Sequence, residues 1–339
     1  MSALEGVSAM LRSFSLDCHD AEFQKRTSAA DWQRILVLRN HPRMVRGLFR
    51  YGELMPEYFS DNVILNKVVT EAWRFEMLVY TLHLHHNWKP ADPSTGLTLA
   101  NLTRICAAQK VASRGRVLAI LSIMQVARYL HRRRSKIDSR VVHLEPSVPF
   151  MAIVEGWNQI IFQIIDAIDE KGGIAHDHLT KPRLGGMMRE RGAHVLLDGW
   201  KLLDPFPEVD HFVSRDGGWM LLLTCVSEAL RPSNGAEIAP VTLDLSTFGK
   251  RFGVSRSHLR RLLESAHTLG LLEAPPANGQ NIVLSPLLVA SFLACMASEL
   301  GNYREWALGA RDELAEDAAK ARSSRRSTGK VGEPRTRLG

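Results

Sequence analysis

The stretch Leu245-Ser246-Thr247-Phe248-Gly249-Lys250-Arg251-Phe252-Gly253-Val254-Ser255-Arg256-Ser257-His258-Leu259-Arg260-Arg261-Leu262-Leu263 sets a glycine-punctuated turn between two short helices. Gly249 is small enough for the two helices to touch, and Gly253 can take the positive φ that ends the first of them. Val254 fills the space beneath the turn, and Ser255 is a preferred N-cap for the second helix. That second helix is expected to bury Leu259, Leu262, Leu263, Ala266 and Leu269 and to leave Arg256, Ser257, His258, Arg260 and Arg261 facing out. A basic N-terminal face behind such a turn suits entry into the major groove of double-stranded DNA. The competing reading is a helical hairpin with a solvated arginine face. Turn glycine, valine plug, cap and exposed charge all agree, and that agreement weighs against it.

Downstream, Gly270-Leu271-Leu272-Glu273, the turn residues Pro275-Pro276-Ala277-Asn278-Gly279 and Asn281-Ile282-Val283-Leu284 spell strand, turn, strand. With this hairpin the chain resembles winged-helix regulators of the MarR-like kind, in which long helices flank the wing module and form a dimer. The resemblance is one of pattern and covers about residues 61–168 and again about 219–309. It implies that two modules in one chain replace the two subunits of such a dimer, and it leaves room for a small-molecule effector between the long helices and the wing module.

The second copy rests on an internal repeat. Val241-Thr242-Leu243 matches Leu97-Thr98-Leu99, Ser255 to Leu259 matches Ser113-Arg114-Gly115-Arg116-Val117, and Leu271-Leu272 matches Tyr129-Leu130. Ile282 to Pro286 is then aligned with Val142 to Pro146, so that the offset drifts from 144 to 140 residues. In the first copy Ala107 to Ser113 lacks the turn glycine and is slightly longer, and Ser113, Arg114 and Arg116 are its candidate DNA contacts. Its wing is more basic: Arg132, Arg133, Arg134, Lys136 and Arg140 lie in and beside one hairpin, as a loop that grips phosphates or enters a minor groove requires. A solvated charged loop is the plain alternative. The second wing is almost uncharged, so the first module is expected to lean on phosphates and the second to read bases.

The expected class is therefore mainly α with short β wings: two winged-helix modules flanked by long helices. Residues 1–60 are expected to be an N-terminal helical extension containing two helices. Residues 61–170 form the first module, opening on one long helix over 61–86, and 171–200 form a breaker-rich linker or crossover. Residues 201–310 form the second module, and 311–339 a disordered basic tail.

Composition agrees with this picture without demanding it. The 339 residues, 45% of them hydrophobic, suffice for two cored domains, and 43 basic against 36 acidic residues leave a net charge of +7, which favours an acidic partner. Cys18, Cys106, Cys225 and Cys295 are too scattered for a zinc knuckle or a disulfide framework. The N-terminus lacks a signal-peptide pattern, and no run of roughly 18 apolar residues is evident. A cytoplasmic, nucleoid-associated protein without membrane contact is expected.

Chemistry finds little support. His83 and His86 share a helix face but have no acid or thiol one turn away, and His176-Asp177-His178 lacks further partners, so neither is read as a metal or catalytic site. No nucleophile elbow, phosphate loop or H-E-x-x-H motif occurs. Trp73, Trp157 and Trp219 are read as core or seam packing. No enzyme activity and no cofactor are expected. The leading reading is a sequence-specific bacterial transcriptional regulator, able to associate further through its long helices. The alternatives are a plasmid-type replication initiator and a winged-helix adaptor that binds protein, for which an exposed apolar second helix would be the mark.

Overall fold

The computed structural model describes residues 17–169, 172–231, 238–276 and 281–328. It is mainly helical with one small two-stranded antiparallel sheet. Three helices open it: α1 (Asp17–Arg26), α2 (Ala29–Arg39, capped by Ser28) and α3 (Met44–Phe59). Then come α4 (Val63–Val69), α5 (Ala72–His86), α6 (Leu99–Ala108), α7 (Arg114–Val126), the strands β1 (Leu130–Arg134) and β2 (Val142–Pro146), and α8 (Val148–Ile168). A pair, α9 (Ile174–Thr180) and α10 (Leu184–Leu197), leads to α11 (Pro207–Val213), α12 (Gly218–Ala229), α13 (Leu245–Phe252), α14 (Arg256–Thr268) and the long α15 (Pro286–Thr328).

The repeat is visible in the backbone hydrogen bonds. Val111 N–H closes on Cys106 O and Val254 N–H on Gly249 O, both at 2.8 Å, after which Ser113 and Ser255 cap α7 and α14. Lys110 stands at φ 56° where the second copy has Gly253 at φ 70°, so the first copy makes the same left-handed turn with a side chain in place. Leu144 N–H reaches Leu97 O at 2.8 Å, and Ile282 N–H reaches Val241 O at 2.8 Å. Ser147 and Ser285 likewise donate to Tyr129 O and Leu271 O. Ile282 is thus the partner of Leu144. The match of Ile282 with Val142 is two residues out of register, because the first hairpin is the longer one. In the second copy the pairing reduces to two isolated bridges, Val241 with Ile282 and Leu272 with Leu284, and Ala277, Asn278 and Gly279 of the expected turn lie outside the described residues.

Four boundaries differ from the sequence expectations. The helix expected over 61–86 is two helices. Asn62 caps α4, Thr70 Oγ bonds back to Asn66 O, and Glu71 is extended, with its carboxylate accepting from Trp73 Nε1 and pairing with Arg74. No glycine or proline announces this break because side chains make it. The stretch read as a breaker-rich linker or crossover carries two helices, α9 and α10, which pack into the body. Gly192 is there for close approach: a Cβ would stand 2.9 Å from Trp306. The extension holds three described helices rather than two, and α3 packs against α8 and α12 while α2 runs along α15. The tail expected from 311 continues α15 to Thr328, as its Ala, Glu and Arg content permits. Arg191–Glu313 and Arg183–Asp317 pairs hold that helix to α10 and its N-cap. Residues 329–339 lie outside the description.

The core is continuous through both copies. It includes Ile161, Phe162, Ile164 and Ile165 of α8, Leu221, Leu222 and Leu223 of α12, and Leu288, Phe292, Leu293 and Leu300 of α15. Helix α8, at mean hydropathy 1.3, is long and apolar enough by composition to cross a membrane, against the expectation that no such run exists. In this fold it packs on α3, α9 and α15, and its Glu155 is tied to His178 and Arg189.

Candidate nucleic-acid interface

The second copy carries the better-formed face. Asp244 caps α13, accepting from Ser246 N and Thr247 Oγ; these hydrogen bonds, with the nearby Arg256 charge adding, hold its carboxyl below the usual range. Helix α13 then ends at Gly253. A Cβ on Gly249 would collide with the carbonyl oxygen of Val254, so the turn is tight at the point where the two helices touch. Ser255 Oγ accepts from His258 N at 3.2 Å and starts α14.

Leu259, Leu262, Leu263 and Ala266 are buried as expected from their spacing. Leu269 is 62% exposed, because α14 ends at Thr268 and the chain turns away at Gly270. Arg256, Ser257, Arg260 and Arg261 face solvent. His258 does not: it is half-buried because its position falls on the edge of the leucine stripe, and its enclosed Nε2 has no hydrogen-bond partner among the described residues. Arg260 lies 3.4 Å from Glu264 one turn on, whereas Arg261 has no hydrogen bond or ion pair among the described residues.

The first copy presents a different surface. Ser113 caps α7 and Arg114 is exposed and unpaired among the described residues, but Arg116 sits over the Trp73 ring at 5.4 Å, with Arg74 also against that ring. Farther along, α7 exposes Leu118, Ile123 and Val126, the last at 84%. This is an apolar outward face, where the repeat predicted a counterpart of the basic α14.

Its hairpin is basic and well supported. β1 and β2 pair in the register Arg132 with Leu144, Arg133 with His143 and Arg134 with Val142. Alternation along the strand separates Arg133 from Arg132 and Arg134. Arg133 pairs with Glu145 at 2.8 Å and lies 5.0 Å over Trp88, whose other contacts include the His143 ring and the close approach of Gly96 at φ 83°. Arg140 is bound to Asp138 at 2.9 Å, and hydrogen bonds from Arg140 lower that carboxyl's pKa. Arg132, Arg134 and Lys136 are exposed without ion pairs among the described residues. Trp73 and Trp88 fix two of the candidate arginines, Arg116 and Arg133, across distances in sequence that no local pattern marks. The only sequence hint is that Trp88 is followed within eight residues by the turn glycine Gly96.

The histidine motifs have structural partners. His83 Nδ1 lies 3.0 Å from Glu190 of α10 and its ring packs on His194, so an acid does face it, supplied from another helix. Burial opposes the Glu190 charge, but hydrogen bonds from His83 and Asn87 outweigh it and lower the pKa. His178 is held between Gln159 at 2.7 Å and Glu155 at 2.9 Å, and Asp177 pairs with Lys181. Burial likewise opposes the Glu155 charge, and hydrogen bonds from His178 and Arg189 bring that carboxyl down to about 2. Among the described residues no three His, Cys, Asp or Glu side chains are grouped to hold a metal.

Comparison of the chain with protein-family models, with curated proteins and with solved structures returns no match.

Proposed function

We propose that the chain is a sequence-specific DNA-binding regulator built from two winged-helix modules in tandem, one over α5 to α8 and the other over α12 to α15. The observation that carries this reading is the pair of exposed arginines, Arg256 and Arg261, neither with a side-chain hydrogen bond or ion pair among the described residues, on the N-terminal half of α14, a helix launched by a glycine turn and a serine cap. Side chains at that end of such a helix reach base edges, and guanidinium groups hydrogen-bond guanine in two places. Arg132, Arg134 and Lys136 on the first hairpin supply phosphate contacts. Arg133 and Arg140, each tied to a carboxylate, contribute less.

A second reading is favoured for one module only. The Leu118, Ile123 and Val126 face of α7 suits contact with protein better than with a groove, so the first module binds DNA through its hairpin while α7 remains open to a protein partner. The full chain should be bound to fragmented genomic DNA at near-physiological salt and the retained fragments sequenced. A shared motif at promoter-proximal sites is the expected result, and one repeat array beside a replication gene would make the chain an initiator. Retention without a motif, or no retention, would sink the regulator reading.

A further inference from the structure

A cavity of about 470 Å³ opens where α5, α8, α10, α12 and α15 converge, a volume in the range of small-molecule sites. Four of the chain's seven tryptophans, Trp157, Trp200, Trp219 and Trp306, line it together with Tyr303. Trp157 Nε1 is enclosed with no hydrogen-bond partner among the described residues.

The charge of the wall has a definite sign. Glu71, Glu76, Asp204, Asp210 and Glu299 face the cavity against only Arg189 and Lys201. Both cations are already engaged, Arg189 with Glu155 at 2.6 Å and Lys201 with Glu76. Glu299 has no countercharge among the described residues. Its carboxylate accepts from Tyr51 O–H at 3.2 Å, and what surface it keeps belongs to a residue fronting the cavity. Asp210 accepts from Ser214 Oγ, and no ion pair reaches it or Asp204 among the described residues. An acidic, aromatic chamber inside a chain of net charge +7 repels organic anions, and a neutral ligand would cover the Glu299 carboxylate without supplying a countercharge. Aromatic faces and an uncompensated carboxylate together complement a hydrophobic cation.

We propose that this cavity binds a hydrophobic organic cation, its positive centre paired with Glu299 and its body held against Trp157, Trp219, Tyr303 and Trp306. The site touches helices of both modules. Only its use in regulation rests on the DNA-binding reading; binding itself does not.

The test uses the full chain without DNA, at pH 8 and physiological salt, and two ions of the same shape and opposite charge, tetraphenylphosphonium and tetraphenylborate. Tryptophan fluorescence and calorimetry should show saturable binding of one phosphonium per chain and weaker or no binding of the borate. Glu299→Gln should weaken phosphonium binding about tenfold or more, the loss of one charge pair. Trp306→Leu should weaken it as well. Equal binding of the two ions, preference for the borate, or unchanged affinity in E299Q would overturn the assignment. The contrast between the ions on the unsubstituted chain decides the question even if a variant fails to fold. Because no DNA is present, a failed DNA experiment leaves this result standing, and the reverse also holds.

Discussion

Asn66 Nδ2 donates to the carbonyl oxygen of Phe252 at 3.3 Å and to that of Phe59 at 3.1 Å, so one buried amide on α4 joins α3 to the end of α13 nearly two hundred residues on. The Phe252 carbonyl sits at a helix C-terminus, where such groups lack a partner inside the helix. Asp61 N–H to Arg251 O and Arg251 Nε to Ser60 Oγ reinforce the same seam. Asn66→Ala would leave two carbonyls unsatisfied and should cost about 2 kcal/mol, read as a lower Tm by thermal unfolding. A variant that melts like the parent would show that the bridge does not hold α3 and α4 to α13.

The two arginine groups should fail in different ways. Arg256→Ala with Arg261→Ala should abolish discrimination between the selected motif and random DNA, because base-edge contacts carry sequence. Arg132→Ala with Arg134→Ala should weaken binding to all DNA and reduce the slope of log affinity against log salt by about 2. Arg140→Ala, which removes a side chain already paired with Asp138, should change the slope less. Titrations at four salt concentrations separate these outcomes, and equal loss of specificity in both double variants would reject the division of roles.

The turn before α14 makes a sharper demand on stability. At position 249 any Cβ meets the Val254 carbonyl, a backbone group that cannot rotate aside, whereas Gly115 in the first turn of α7 has nothing within 4 Å of an added Cβ. Gly249→Ala should therefore destabilise by about 2 kcal/mol or more, and Gly115→Ala should be neutral or stabilise by about 0.5 kcal/mol. Comparable melting temperatures for the two variants would contradict the close approach at Gly249.

Much of the repeat could be read from local signals, because caps and turns are made by neighbours in sequence. Ser113, Ser255 and Gly253 all act within a few residues of where they stand. What escaped depends on distant partners. The break after Val69 involves Asn66, whose amide is held by Phe252; the glycines of 185–192 pack helices that a breaker reading would have dissolved; and His258 turns inward on the edge of a stripe whose width the spacing did not resolve. The cavity draws its wall from residues between Met55 and Trp306, so no single stretch of chain contains its pattern. The α7 face shows the limit of the repeat itself, since two copies with the same turns present arginines in one case and Leu118, Ile123 and Val126 in the other.

Glu299 gives the chain a pH dependence whose sign follows from its surroundings. Burial pushes its carboxyl from the ordinary 4.5 up to about 7, with the Tyr51 hydrogen bond holding it back. A carboxyl raised on folding contributes stability that is full below about 4.5 and is lost as pH climbs through 7. The groups that interact with it are Cys295 and Tyr303 on its own helix and Tyr51 on α3, while Asp210 on α11 acts on Cys295 and Arg189 on α10 acts on Tyr303. Burial raises the thiol and both phenols, so these three stay neutral through this window. Burial lowers the pKa of His85, His143 and His211, and these tilt the curve the other way on the acid side of 6.5. The difference between parent and Glu299→Gln isolates the carboxyl. Denaturant unfolding should show the parent losing stability relative to E299Q from pH 5 to pH 8, with the variant the more stable of the two at pH 8. A constant difference across that window would mean that Glu299 ionises as freely in the folded chain as in the unfolded one.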